Sequence, residues 1–517
     1  MIRVITRPSL RELIGGLVAN LERATEPQAG VSANELAVPM LSVLDRLANE
    51  WSSWADLLRA DNEDIRQTLA PLAPQVLQGW NPDRTLPATE ALEEENRALK
   101  QALSETIARL DLPAGPEAEP ALAAADKAVV QLMQRMLRRE ASVRVDPSRV
   151  PPTSGNPVSG GLTPDALNTT LKQFLAAQMP AASGLRIEAL QRLPGGASRE
   201  AWIFDFRWLE NGIERFEPCI LMREPRASVL ISDSAPSRID GTRRTVAGEV
   251  RVVRAMRAAG LPVPDILWSD PEGLWLERPF SIARRLPGTT DVSGLIGTSA
   301  ADDMLDQFVH LLARIHTLEP EAAGVAFLGT PTRESAALEQ VLQFEGNFDR
   351  ERLEPFPATD YLVRWLKKNA PVADRVRVIH GDYRLGNFLH ENGQIIAILD
   401  WEQVHVGDPI EEIAFMYWAL WSLEPVCPIE TFIARYEAAS GTAVNRATLA
   451  WYRAFIELKM LVVLLTGLRS YYATPERQLH YASAQTNEMI RDAQLRVIEE
   501  FARGGPSVAF DAYRKYS

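Results

Sequence analysis

The sequence predicts an α+β protein in which an all-helical segment precedes a β-rich region and then a longer helical one. Three observations lead there. Apolar residues recur at helical spacing through residues 1–145, a proline- and glycine-rich stretch follows at 146–165, and beyond it the period changes to two. At 517 residues, with 46% hydrophobic and 24% charged side chains, the chain has room for about three domains of roughly 150 residues each. Its formal net charge of −13 argues against a protein that coats nucleic acid or an anionic membrane, so neither is expected as a partner. Cys219 and Cys427 fit no metal spacing, and so few cysteines suit a reducing compartment. The longest apolar stretches, 413–421 and 460–465, fall well short of the roughly 20 residues that span a bilayer. The N-terminus lacks an apolar core followed by a small-residue cleavage site. A cytoplasmic location is the expectation.

In chain order, Leu10, Leu13, Ile14, Leu17, Val18 and Leu21 mark a first helix. A capping box at Ser32-Ala33-Asn34-Glu35 opens a second, carrying Met40, Leu44, Trp51, Trp54 and Leu58. A third runs from Thr89 to Leu110, and a fourth carries Leu122, Val129, Met133 and Leu137. Residues 1–145 therefore read as a helical bundle, with Trp51 and Trp54 packed inward. After the linker, Thr163-Pro164 is an N-cap and first-turn pair for a helix through Leu175. Trp202, Phe204, Phe206 and Trp208 then alternate strictly, followed by Asn211-Gly212 and a second strand pattern over 216–223, the strongest short-range hairpin signal. Strands are also expected at 187–190, 274–278, 376–379 and 395–399, a helix at 246–259, and mostly helices beyond residue 300.

The segment that carries chemistry is His380-Gly381-Asp382-Tyr383-Arg384-Leu385-Gly386-Asn387, followed by a short strand that ends at Asp400. Two carboxylates and an amide oxygen converging from adjacent strand ends form a hard-oxygen site, which suits Mg2+ when substrate phosphates complete the shell. Phosphoryl transfer needs a residue to orient the attacking hydroxyl, a metal to neutralise charge and a cation on the phosphates. Asp382 suits the first role, while Asn387 and Asp400 suit the second. His380 reads as a brace for its loop, and Tyr383 and Arg384 either line the substrate mouth or pack. No Walker-type phosphate loop, G-x-S-x-G or H-E-x-x-H occurs.

This arrangement resembles the aminoglycoside phosphotransferase and choline kinase-like family over most of residues 185–470. The resemblance implies a bilobal protein-kinase-like fold, with a small β-rich lobe at 166–280 and a larger helical lobe at 281–517. It also implies ATP and Mg2+ as cofactors. It places Gly195, Gly196 and Ser198 in a glycine loop over the phosphates and Glu249 as partner of the phosphate-binding cation. Glu277 falls at the passage into the strand that holds adenine. Asp382 and Asn387 become the catalytic pair, and Asn387 and Asp400 the metal ligands. The third strand offers no lysine, so Arg223 is the expected cation, paired with Glu249. That strand, Leu221-x-Arg223-x-Pro225, is similar to the branch fused to acyl-CoA dehydrogenases, whose acceptor is a hydroxyacyl-CoA. A CoA thioester carries phosphates of its own, for which Arg453, Lys459, Arg469 and Arg477 are candidate contacts. The helical segment at 1–145 resembles a companion protein fused in cis, and could also carry homo-oligomer contacts. The expected activity is phosphorylation of a small-molecule hydroxyl, most simply on a hydroxyacyl-CoA. The alternatives are an aminoglycoside or other small-alcohol kinase, or a catalytically weak kinase-like binding protein.

Overall fold

A computed structural model describes residues 54–77, 88–110, 119–142, 163–193, 199–224, 246–293, 299–473 and 484–508. The first expected helix, most of the second, and the linker core lie outside these residues. The chain forms two compact units. One gathers Met1–Thr153, Gln340–Ala370 and Arg453–Ala512, and the other holds Ser154–Glu339 and Pro371–Tyr452, with the last five residues.

The first unit contains helices α1 (Trp54–Leu72), α2 (Ala88–Arg109) and α3 (Glu119–Ser142). These do not close a core among themselves. Ile65, Leu69, Leu99, Leu103, Ile107, Val129, Met133 and Met136 are buried together with Ala358 and Tyr361 from later in the chain and with Leu495 and Ile498 near its end. Polar contacts follow the same path. The Tyr361 hydroxyl donates to Asp126 at 2.8 Å, Arg364 pairs with Asp126 at 2.9 Å, and Arg491 donates to the Glu140 carbonyl at 2.8 Å. Apolar stripes on the early helices are thus covered by later helices of the same unit.

The second unit opens with α4 (Pro164–Gln178), where the Thr163 hydroxyl accepts from the Ala166 amide and Pro164 fills the first turn. A five-stranded antiparallel sheet follows, formed by β1 (Ser183–Arg192), β2 (Glu200–Glu210), β3 (Ile213–Arg223), β4 (Ile266–Asp270) and β5 (Phe280–Arg284) in the order β1-β2-β3-β5-β4. Asn211 and Gly212 both take positive φ, 51° and 78°, as the two-residue hairpin turn requires. Period-two alternation puts Trp202, Phe204 and Phe206 of β2, with Cys219 and Leu221 of β3, on one face, where Leu167, Leu171, Phe174 and Leu175 of α4 cover them. The strand expected at 274–278 is instead a turn between β4 and β5, in which Gly273 and Glu277 take φ of 68° and 60°. Its flanking strands are short and lack clear alternation, which is why the pattern misplaces them.

Helix α5 (Val246–Ala258) packs on β4 and β5. The chain then passes Gly288 and Thr289; Thr289 pairs with His390 through two backbone hydrogen bonds, and a Cβ on Gly288 would lie 2.4 Å from the His390 carbonyl oxygen. Helix α6 (Ser299–Ile315) supports the catalytic segment through Phe308, which packs against Tyr383 and Phe388. That segment is framed by β6 (Arg377–Ile379), β7 (Phe388–Glu391), β8 (Gln394–Ile398) and β9 (His405–Gly407), paired as β6 with β9 and β7 with β8. Helix α7 (Ile410–Met416) follows directly.

Candidate active site

The turn after β6 is dictated by sterics and by one buried carboxylate. Gly381 takes φ of 85°, and a Cβ there would lie 2.2 Å from the Gln403 carbonyl oxygen, so the position tolerates only glycine. Glu412 of α7, 1% exposed, accepts from the His380 amide at 3.0 Å and the Gly381 amide at 2.8 Å. Its second oxygen also meets His316 Nε2 at 3.1 Å. Burial holds His316 below its usual pKa, hence neutral. Nε2 then donates to Glu412, and Nδ1 accepts from the Tyr436 hydroxyl at 2.8 Å. His380 is a brace: its Nδ1 accepts from the Asp382 amide, and its Nε2 donates to the Leu399 carbonyl at 2.9 Å. Tyr383 packs, with its hydroxyl donating to the Phe308 carbonyl at 2.7 Å.

These contacts deliver Asp382, Asn387 and Asp400 to one place. Asn387 Nδ2 donates at 2.8 Å both to the Asp382 carboxylate and to its carbonyl. With its nitrogen so used, its amide oxygen is the group left for a cation. The other Asp382 oxygen accepts from Arg384 Nε at 3.0 Å. The Leu399 amide donates to the Asn387 carbonyl at 2.8 Å, which ties the loop to the end of β8. Asp400 follows there in a left-handed conformation, φ 63° and ψ 61°, a strained backbone for a residue with a side chain. Burial, with Glu402 and Asp382 close by, pushes its carboxyl up to about 8. A divalent cation would relieve that crowding of negative charge. Among the described residues no three His, Cys, Asp or Glu side chains form a metal cage, so phosphates and water would have to complete the shell.

Glu249 on α5 and Glu402, in the turn after Asp400, flank one guanidinium, that of Arg199 at the head of β2. Its Nη2 lies 3.6 Å from Glu249 and 3.8 Å from Glu402. Burial opposes the charge on Arg199, yet these carboxylates outweigh it and raise its pKa further. Arg223 takes a different place. It is 2% exposed, donates from Nε and Nη2 to the Leu276 carbonyl at 3.1 and 2.8 Å, and pairs with Glu200 at 2.7 Å. The expected pairing of Arg223 with Glu249 is therefore corrected. Arg223 shares a sheet face with Cys219 and Leu221, the face that α4 covers. Counting outward from Asn211-Gly212 sets Glu200 opposite Arg223, a signal the sequence contained. Glu277 sits exposed in the β4–β5 turn, with φ of 60°. Gly195, Gly196 and Ser198 lie outside the described residues. Arg453 and Lys459 are 7% and 2% exposed, too buried to form a surface patch; Arg469 meets the Arg350 carbonyl, and Arg477 is outside the described residues.

An oriented carboxylate, an amide oxygen beside it, a crowded aspartate on the next strand end and a buried arginine near them define a phosphotransferase site. The profile of the APH phosphotransferase enzyme family matches residues 190–455, and the chain belongs to that family. Among its relatives, the mouse Acyl-CoA dehydrogenase family member 10 is 26% identical over 202 residues, covering 38% of this chain and 18% of that protein. The human Acyl-CoA dehydrogenase family member 11 is 27% identical over 250 residues, covering 44% and 30%. The matches thus span less than a third of these relatives' length. Among solved structures, a macrolide 2'-phosphotransferase type I aligns with a TM-score of 0.44 and 21% identity, over 63% of this chain and 98% of that one. The GDP complex of wild-type aminoglycoside 2'-phosphotransferase-IIIa gives 0.42 and 17%, over 63% and 98%. Among the described residues, no helix is long and apolar enough to cross a membrane.

Proposed function

We propose that this phosphotransferase moves the γ-phosphoryl group of ATP to the hydroxyl of a hydroxyacyl-CoA. The observation that carries the reading is the assembly of Asp382, Asn387 and Asp400 by hydrogen bonds and loop ties within one site. Asn387 and Arg384 fix both oxygens of Asp382, so the carboxylate meets an incoming hydroxyl already oriented, and little reorganisation remains at the transition state. Asp382 takes the hydroxyl proton as the new P–O bond forms and the bond to ADP breaks; the proton then leaves to water. Mg2+, when bound, neutralises charge on the transferring phosphates. Its protein ligands would be Asp400 and the Asn387 amide oxygen, and the crowded charge around Asp400 fits such an ion.

The acceptor class rests on two supports. One is the form of the third strand, Leu221-x-Arg223-x-Pro225. The other is that the curated relatives are named acyl-CoA dehydrogenase family members. The test is a panel of hydroxyacyl-CoAs and aminoglycosides incubated with the purified protein and Mg-ATP, with phosphate ester and ADP followed by mass spectrometry. A phosphorylated hydroxyacyl-CoA is expected. Phosphorylated aminoglycoside alone would overturn the acceptor, and no ADP with any member of either set would overturn the proposed reaction.

A further inference from the structure

We infer that Arg384 and Trp421 receive the acyl portion of the phosphoryl acceptor, with the Arg384 guanidinium donating to its carbonyl oxygen. The inference rests on the proposed hydroxyacyl-CoA reaction and deepens it by naming the residues that choose an acyl acceptor. The Nε of Arg384 donates to Asp382 at 3.0 Å, and among the described residues that is the one hydrogen bond the guanidinium makes. Its charge also acts on Asp400. The Asp382 side chain is 9% exposed and that of Arg384 31%. A hydroxyl that reaches the carboxylate therefore arrives beside Arg384, whose Nη1 and Nη2 still have hydrogens to donate. Gly386 leaves room for this placement, because a Cβ there would lie 2.7 Å from Nη1.

The same guanidinium lies over the Trp421 ring, 5.2 Å from its centroid. That ring is held in place. Its Nε1 donates to the Phe415 carbonyl at 3.1 Å, and it packs against Phe415 and Trp418 with centroids 5.1 and 4.8 Å away. Phe415 belongs to α7, the helix whose Glu412 holds the catalytic turn, so one element sets both the base and the ring. Leu420, the residue before Trp421, is 57% exposed. Beside the base the chain thus presents an aromatic surface, an exposed aliphatic residue and a cation with unused donors. An acyl group matches all three: its chain covers apolar surface, and its carbonyl oxygen accepts from a charged donor. A polyammonium acceptor meets the like charge of Arg384 instead.

The test pairs a hydroxyacyl-CoA thioester with the thioether analogue in which CH2 replaces the carbonyl. The kcat/KM for each, and KM for ATP, are measured on the full chain, with melting curves to confirm folding. Wild type should favour the thioester by about 10- to 100-fold, as a hydrogen bond from a charged donor implies. Arg384→Ala should bring that ratio within about threefold of unity, and Arg384→Lys should restore part of it. Loss of the Asp382 contact slows both compounds alike and leaves the ratio unmoved. Trp421→Ala should raise KM for both CoA compounds about tenfold with KM for ATP unchanged, and Trp421→Phe should recover part of the loss. A wild type without the thioester preference, an Arg384→Ala that keeps it, or a Trp421→Ala with wild-type acceptor KM overturns the assignment. So does either substitution acting on KM for ATP instead. Should Arg384→Ala fail to fold, Gly386→Ala, which pushes the guanidinium aside and keeps its charge, decides together with Arg384→Lys: wild-type ratios in both refute the role. A wild type that phosphorylates neither CoA compound refutes the hydroxyacyl-CoA reading itself, a distinct outcome in which this assignment falls with it.

Discussion

Glu412→Gln isolates what one buried carboxylate does for the catalytic turn. The wild-type side chain serves three donors: the Gly381 amide at 2.8 Å, the His380 amide at 3.0 Å and His316 Nε2 at 3.1 Å. A glutamine offers one acceptor oxygen and one NH2, so at least one of the three donors must face another donor. Losing a charge-assisted bond and stranding a buried N–H each cost about 1–3 kcal/mol, and the total expected for Glu412→Gln is about 2–6 kcal/mol. The loss should be local as well as global. Amide exchange at His380 and Gly381 should accelerate, and kcat should fall more than KM rises, because Asp382 is the next residue. The pH behaviour adds a second signature. Burial favours the neutral carboxyl, yet the donors around Glu412 outweigh it and hold its pKa below the ordinary 4.5. A lowered folded value means stabilisation that is complete above 4.5 and lost as pH falls through the folded value. The glutamine variant should lack that acid-sensitive component. Denaturation and exchange data that place Glu412→Gln within about 0.5 kcal/mol of wild type, with unchanged exchange at Gly381, would refute this account of the turn.

Four other outcomes follow from the geometry. Asp382→Asn should remove turnover while ATP affinity, read by calorimetry, stays within about threefold, since the carboxylate acts mainly in the transition state; retention of most of kcat would show that another group takes the proton. Asp400→Ala should abolish the Mg2+ dependence of nucleotide binding, and an unchanged dependence would place the metal elsewhere. Leu103, fully buried in the first unit, should cost about 2–5 kcal/mol when changed to Ala; a loss under about 0.5 kcal/mol in urea unfolding would contradict the shared core. Asp408 is pushed up from 3.8 to about 7 by burial. The folded state then keeps a proton the unfolded state has released, so wild type loses stability as pH rises through that window. Asp408→Asn, which retains the acceptor for the Ile410 amide, should gain stability over wild type on going from pH 5 to pH 8, and a gap that stays constant would rule this out.

Much of this protein is written locally. The Thr163-Pro164 helix start, the alternating strand and the Asn211-Gly212 turn depend on neighbours a few residues away, and the structure realises each of them. The segment from His380 to Asn387 is similarly self-contained, because Asn387 reaches Asp382 only five residues back. Sequence alone therefore determined the chemistry of the loop and the register of the hairpin. It did not determine which face of that hairpin is covered. Period-two alternation separates Arg223 from Arg199 and hairpin register sets Glu200 opposite Arg223, but the pattern is blind to where α4 settles, and that packing buries the Arg223–Glu200 pair and leaves Arg199 beside Glu249. Glu412 escaped notice for the same reason: it caps amides 31 and 32 residues away, with no pattern in sequence to announce it. The first unit is the largest case. Helical stripes on residues 54–142 predict helices but not their partners, and burial is satisfied by whichever apolar surface the folded chain brings near, here residues beyond 340.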